Sequence, residues 1–321
     1  MNVPLAQMRF RISKCFHPTT NEVLVGQYKI VIIPSSSPGV SEALLQFESR
    51  YVHPIGESSN PEEEAVIVCE VLSALLNARM ALLGFRIDVE NYLALDRLVR
   101  YPNLEGPVET ANLDADFNRI LSLDDGLARQ YIRASHAYSF ALNFIPADPT
   151  FAFLLLVVAV ECLASQKSII PYKDLDADKM KCKRFCKFLE TYLPIEKMGE
   201  DEEGKKLVRE LLKTVYYVHR SAFVHGGKEI SAASLQADRV GKMYFKHATD
   251  GKEVKTPGLS WFADIVNSSL LGFLRSDSRP RVAADSDRIS RIAMERGMLK
   301  LKAKRAIKKG EAITFDDIEH Q

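Results

Sequence analysis

Arg220 and His225 lie in the segment Arg220-Ser221-Ala222-Phe223-Val224-His225-Gly226, and together they hold two of the tools that acid–base chemistry needs. An imidazole gives or takes a proton near neutrality, and a guanidinium is a permanent cation with a planar, two-pronged donor set. Ser221 adds a hydroxyl directly after the arginine. Spacing alone decides little, because Arg11 with His17 and Arg129 with His136 also place an arginine a short way before a histidine. What separates the 220–226 segment is its setting: a serine after the arginine, a glycine after the histidine, and a long apolar-striped segment leading into both.

That leading segment must position the pair. Val208, Leu211, Leu212, Val215, Val218 and Ala222 recur at helical spacing, which predicts an amphipathic helix with one buried face. Gly226 and Gly227 stop it, since glycine reaches the left-handed conformation past a last turn at little cost. Arg220 and His225 then sit near the negative pole, where a protonated imidazole is favoured by about 0.3–1 kcal/mol. The plainer alternative is a pair of solvated residues that complement the helix dipole. On a straight helix the two side chains are about 140° apart, too far round to grip one group unaided. Upstream, residues 151–163 form an apolar run whose one ionisable group is Glu161. A buried carboxylate needs a partner, so Glu161 either pairs with Arg220 or reaches solvent or a neighbouring hydroxyl. Between these elements lies a basic helix with Lys179, Lys181, Lys183, Arg184 and Lys187, interleaved with Phe185 and Phe188. It offers phosphate contacts, or it is a solvated face with its aromatics in the core.

The 220–226 segment, the Glu161 helix before it and the polar excursion and helix between them resemble the HEPN superfamily. The likeness is to the group whose last helix ends in Arg-Ser, a short apolar stretch and His-Gly, and it covers residues 112–275, about half the chain. It implies a helical bundle acting as a metal-independent endoribonuclease in a homodimer, in a toxin or antiviral defence system. Such cleavage needs a base for the 2′-hydroxyl proton, an acid for the leaving oxygen and a cation for the phosphorane charge. His225 fits the base or acid and Arg220 the cation, with Ser221 beside them, Glu161 in support and Lys183, Arg184 and Lys187 toward the substrate. No metal or cofactor is called for. One chain supplies only one such histidine, and a second copy facing the first removes that shortage. Ser221 stands where active nucleases of the superfamily often carry Asn, Asp or His, although it agrees with the Arg-Ser group. Other members keep the fold for association alone, so the alternative is a catalytically silent module that dimerises or binds a nucleotide or a regulatory protein.

Composition limits the rest. Forty-three basic and 42 acidic residues give a net charge of +1, so any RNA contact is local rather than a property of the whole surface. Five scattered cysteines on a chain that shows no secretory leader favour a reducing cytoplasm and free thiols. Cys182 and Cys186 share a helix face, and no second pair or nearby histidine completes a metal shell around them. No apolar run reaches the ~20 residues that span a bilayer.

The expected fold class is mainly α, a HEPN-type bundle preceded by a smaller mixed α/β domain. Strands are expected within residues 8–33 and 43–52, a helix from Asn60 to about residue 83, and a further strand over 85–95. A break at 101–107 sets the domain limits at 1–105, a recognition or regulation domain, and 108–278, the bundle. Residues 234–245 read as a short helix, 261–274 as an apolar closing helix, and 279–321 as a linker and short basic tail. That tail resembles the first half of an SAF (antifreeze-like) module through Ala303, Arg305, Ile307, Gly310, Glu311, Ile313, Thr314 and Ile318, and reads as hairpin-like.

Overall fold

This computed structural model describes residues 5–14, 20–33, 41–48, 60–82, 108–145, 147–165, 177–226, 232–249, 251–276 and 281–309. Within them the chain is mainly helical with a small antiparallel sheet. The alternating apolar residues near the start form β1 (Leu5–Ile12), β2 (Glu22–Val25), β3 (Tyr28–Ile33) and β4 (Ser41–Glu48). With β5 (Met80–Leu82) they make a sheet of order β2-β3-β4-β1-β5. Because side chains alternate along a strand, Phe10, Ile12, Tyr28, Ile30, Ala43, Leu45 and Phe47 are buried on one face.

Helix α1 (Asn60–Leu76) lies against that face and is itself buried almost all round. It stops earlier than the expected residue 83. Asn77 adopts φ 47°, and the Ala78 amide donates to the Ser73 carbonyl at 3.1 Å, the six-to-one bond of a Schellman cap. Asparagine is the second choice after glycine for that left-handed position, so its signal as a helix stop is weak. Ending α1 there frees residues 80–82 to pair with β1.

The helical body follows. Helices α2 (Leu113–Leu121) and α3 (Asp125–Phe144) come first, with the Asp124 carboxylate accepting from the Leu127 amide at 3.0 Å. Helix α4 (Pro149–Ala164) is capped by Asp148 in the same way and packs along α3. Then come α5 (Ala177–Tyr192), α6 (Ile195–Met198) and α7 (Glu202–Thr214), a wide π-turn over Val215–Arg220, and α8 (Ser221–Gly226). A short α9 (Ala233–Arg239), a hairpin of β6 (Tyr244–Thr249) and β7 (Lys252–Pro257), and the closing helix α10 (Leu259–Arg275) complete this part. The helix expected over 234–245 therefore ends at Arg239. Gly241, at φ 63°, turns the chain into β6. Helix α10 passes so close to α5 that a Cβ at Gly272 would overlap the Tyr192 carbonyl.

The expectation of a hairpin-like tail fails at residues 298–309, which belong to helix α11 (Arg288–Lys309). Its packing explains the change. Ser290 donates to Glu64 Oε1 at 2.7 Å, Arg296 to Glu70 Oε2 at 3.0 Å, and Lys300 pairs with Glu63. Buried carboxylates on α1 need such partners, and a helix delivers them at successive turns. One continuous hydrophobic core joins the sheet, α1 and the bundle. The expected boundary at 101–107, the strand over 85–95, and the end of the SAF-like stretch from Gly310 onward lie outside the described residues. Among the described residues no helix is long and apolar enough to cross a membrane.

Candidate functional site

Two helices build the site. The apolar stretch of α4 anchors it through Ala152, Phe153, Leu156, Val157, Ala159 and Val160, all buried, and this presents Glu161 at its last turns with its side chain partly accessible. The helix that carries Arg220 begins as α7, whose Val208, Leu211 and Leu212 are buried as their spacing predicts. Beyond Thr214 it is no longer a regular α-helix. Val215-Tyr216-Tyr217-Val218 are β-branched and aromatic, poor helix formers, and here the backbone widens into the π-turn.

The widening moves Arg220. On an unbroken α-helix Arg220 lies about 120° round from Val208, off the packed face. A turn closed by i to i+5 bonds holds more residues, so each residue advances less about the axis and Arg220 comes back toward α4. Its Nη2 stands 3.5 Å from Glu161 Oε1, an ion pair longer than a good hydrogen bond. The guanidinium carbon lies 5.2 Å from the centre of the Tyr216 ring, and the Tyr216 hydroxyl donates to the same Glu161 Oε1 at 2.6 Å. Burial first and the Glu161 carboxylate second push the Tyr216 hydroxyl well above its ordinary pKa, so it stays a donor. Phe185 of α5 closes the far side of the tyrosine ring at 5.2 Å. Arg220 Nε is buried with no partner among the described residues.

Glu161, Arg220 and Tyr216 are thus brought together, and Ser221 follows half-buried. His225 lies in α8, whose backbone carries it one turn and a half beyond Arg220, and its side chain is outside the described set. Lys183 and Lys187 are exposed on α5, while Phe185 and Phe188 are fully buried, so the solvated-face reading of that basic helix fits its packing. Arg184 is half-buried, and its Nε has no partner among the described residues. Cys182 and Cys186 sit on the inner side of the same helix, Sγ to Sγ 4.0 Å.

Two residues were missed in the sequence. Tyr216 is four positions before Arg220, a spacing that stacks side chains on a helix and was a usable signal. His219 gave none: the stripe placed Val218 inward, whereas Val218 is half-buried and His219 is 6% exposed. The His219 ring packs 5.3 Å from Phe153, and burial, helped by nearby His247, pushes its pKa down to about 4. It is a neutral core imidazole. The background histidine His136 is also accounted for, since its Nδ1 lies 2.6 Å from Glu70. His17 is outside the described residues.

Among the described residues no cluster of three or more His, Cys, Asp or Glu side chains is gathered to hold a metal ion. Comparison with protein-family models, curated proteins and solved structures returns no match for this chain.

Proposed function

We propose that this chain is a HEPN-type module that cleaves RNA without a metal ion, as a homodimer in a reducing cytoplasm, in a toxin or defence setting. The observation that carries the reading is the state of Arg220. It is held from one side by Glu161 and from below by Tyr216, and its Nε has no partner among the described residues. Such a guanidinium is oriented in advance, and its partly accessible Nη groups, not the buried Nε, would meet the oxygens of a phosphate. In the reaction the 2′-oxygen loses its proton to an imidazole and attacks the adjacent phosphorus. Arg220 stabilises the charge that gathers on the phosphorane oxygens, and the 5′-oxygen leaves with a proton. His225 serves as base or acid, and the partner copy's histidine supplies the other role.

Tyr217 and Val224 support the dimer. They are about half exposed, seven positions apart on the segment that carries Arg220 and His225, and a second copy would cover them. The same two side chains also favour the second reading, in which the module associates but does not cut. Purified protein incubated with RNA in EDTA separates the two readings: cleavage that disappears in His225→Ala is expected. Cleavage that survives in that variant, or that requires a divalent ion, overturns the ribonuclease reading. Light scattering at micromolar concentration is expected to give a dimer, and a monomer there removes the shared-site mechanism.

A further inference from the structure

We propose that Cys182 and Cys186 form a binding site for a soft monovalent metal ion of the Cu(I) class, bridged between the two sulfurs on the side of α5 that faces the Arg220 helix. The geometry carries it. The two residues are one turn apart on α5, and their Sγ atoms are 4.0 Å from each other. Two metal–sulfur bonds of about 2.3 Å span about 3.8 Å at the tetrahedral angle and about 4.6 Å when collinear, so a bent two-coordinate ion fits with little movement. A disulfide does not fit as well. It needs Cβ atoms about 3.8 Å apart, whereas residues one helical turn apart hold theirs at about 5–6 Å.

The surroundings select the ion. Thiolates prefer soft metals, and no third His, Cys, Asp or Glu joins the pair among the described residues, which disfavours ions that demand four ligands. Cys182 is buried and Cys186 half-buried, so entry is from the Cys186 side. On binding, both S–H bonds break, two metal–sulfur bonds form and both protons pass to solvent. A bis-thiolate holding a monovalent ion carries one net negative charge, which the positive charge of Lys213 partly offsets. The hydrogen bond the two thiols share holds the Cys182 thiol below its ordinary range and pushes the Cys186 thiol up, so the first proton leaves Cys182 and the metal itself must displace the second. Glu190, one turn beyond Cys186, is paired with Arg209 at 3.5 Å. The other described cysteines stand on other helices, Cys69 on α1 and Cys162 on α4.

The test uses the full chain, reduced and kept free of oxygen, titrated with Cu(I) against a coloured Cu(I) chelator. A single ion per chain is expected to stay with the protein. Cys186→Ser is expected to weaken retention by about tenfold or more, because one thiolate cannot chelate, while Cys162→Ala leaves it unchanged. Cys186→Ser decides the matter even where Cys182→Ser fails to fold, since Cys186 is only partly buried. The proposal is overturned if the wild type retains no Cu(I), if Cys186→Ser retains it equally well, if Cys162→Ala loses as much, or if Zn(II) is held in preference. None of these readouts depends on RNA cleavage.

Discussion

The chain contains two comparable arginine–histidine segments inside its helical body, Arg129 with His136 on α3 and Arg220 with His225 beyond the π-turn. In the first, every partner is structural. Arg129 bonds Asp125 at 2.8 Å and Glu295 at 3.1 Å, and His136 bonds Glu70, which also receives Arg296. These bonds tie α3 to α1 and α11. In the second, Arg220 has one ion pair at 3.5 Å, an aromatic ring beneath it and a buried Nε without a partner. The two segments look alike as strings and differ in remaining donor capacity. Under the proposed function Arg220 is a cation oriented for a ligand but left incomplete, whereas Arg129 is completed by the fold.

The strongest way to break this comparison is at the cations themselves. Arg220→Ala is expected to lower RNA cleavage by about 10²–10³-fold, as for loss of one charge-stabilising donor set, and Arg220→Lys nearly as much, because an ammonium lacks the two-pronged geometry. Arg129→Ala should leave cleavage within about twofold of wild type while lowering the melting temperature. Equal losses of cleavage in Arg129→Ala and Arg220→Ala would show that the distinction between the segments is false.

The next effect belongs to His219, adjacent to Arg220 yet of the opposite kind. Its pKa in the fold is about 4 against an ordinary 6.5, so the unfolded chain binds the proton first. The stability this neutral imidazole contributes is present above about pH 6.5 and is lost as pH falls toward 4. By pH 4.5 the loss amounts to roughly 2–3 kcal/mol. Urea midpoints measured at pH 7 and pH 4.5 should therefore fall further for the wild type than for His219→Phe, and parallel falls would place the imidazole in contact with water.

A smaller effect sharpens the account of the site. Tyr216→Phe keeps the ring under the guanidinium and removes the 2.6 Å bond to Glu161, which should cost about 1–2 kcal/mol of stability. Cleavage should fall only several-fold, since Glu161 still meets Arg220. A fall as deep as that of Arg220→Ala would move the tyrosine from positioning to chemistry. The smallest expected change is at His136, half-exposed and sharing Glu70 with Arg296. His136→Ala should lower stability by no more than about 1 kcal/mol and leave cleavage alone, as an RNA gel assay beside a thermal melt can show.

What could be read in advance followed local rules. Strand alternation marked the sheet region within 8–33 and 43–52, and an isolated carboxylate in an apolar helix needed a partner, either Arg220 or a neighbouring hydroxyl; Glu161 meets both Arg220 and the Tyr216 hydroxyl. The π-turn was not legible, because a reading at 100° per residue assumes the regularity that Val215 to Arg220 abandon. That assumption also turned His219 outward. Helix α11 was hidden for a different reason: its polar residues look solvated as a string, and they acquire partners only from α1, at the far end of the sequence. Asn77 was passed over because a single asparagine is a weak stop unless its conformation is known.

The clasp between α1 and α11 also bears on how the molecule assembles. Ser290 and Glu64 are 226 residues apart, and Lys300 and Glu63 are 237 apart. Contacts of such separation form late, because the entropy of closing a long loop comes before any reward from it. Of the described elements α11 leaves the ribosome last, so until then α1 holds Glu63, Glu64 and Glu70 without their final partners. Docking of α11 on α1 is therefore expected to be a late step of folding, one that follows translation of residues 288–309.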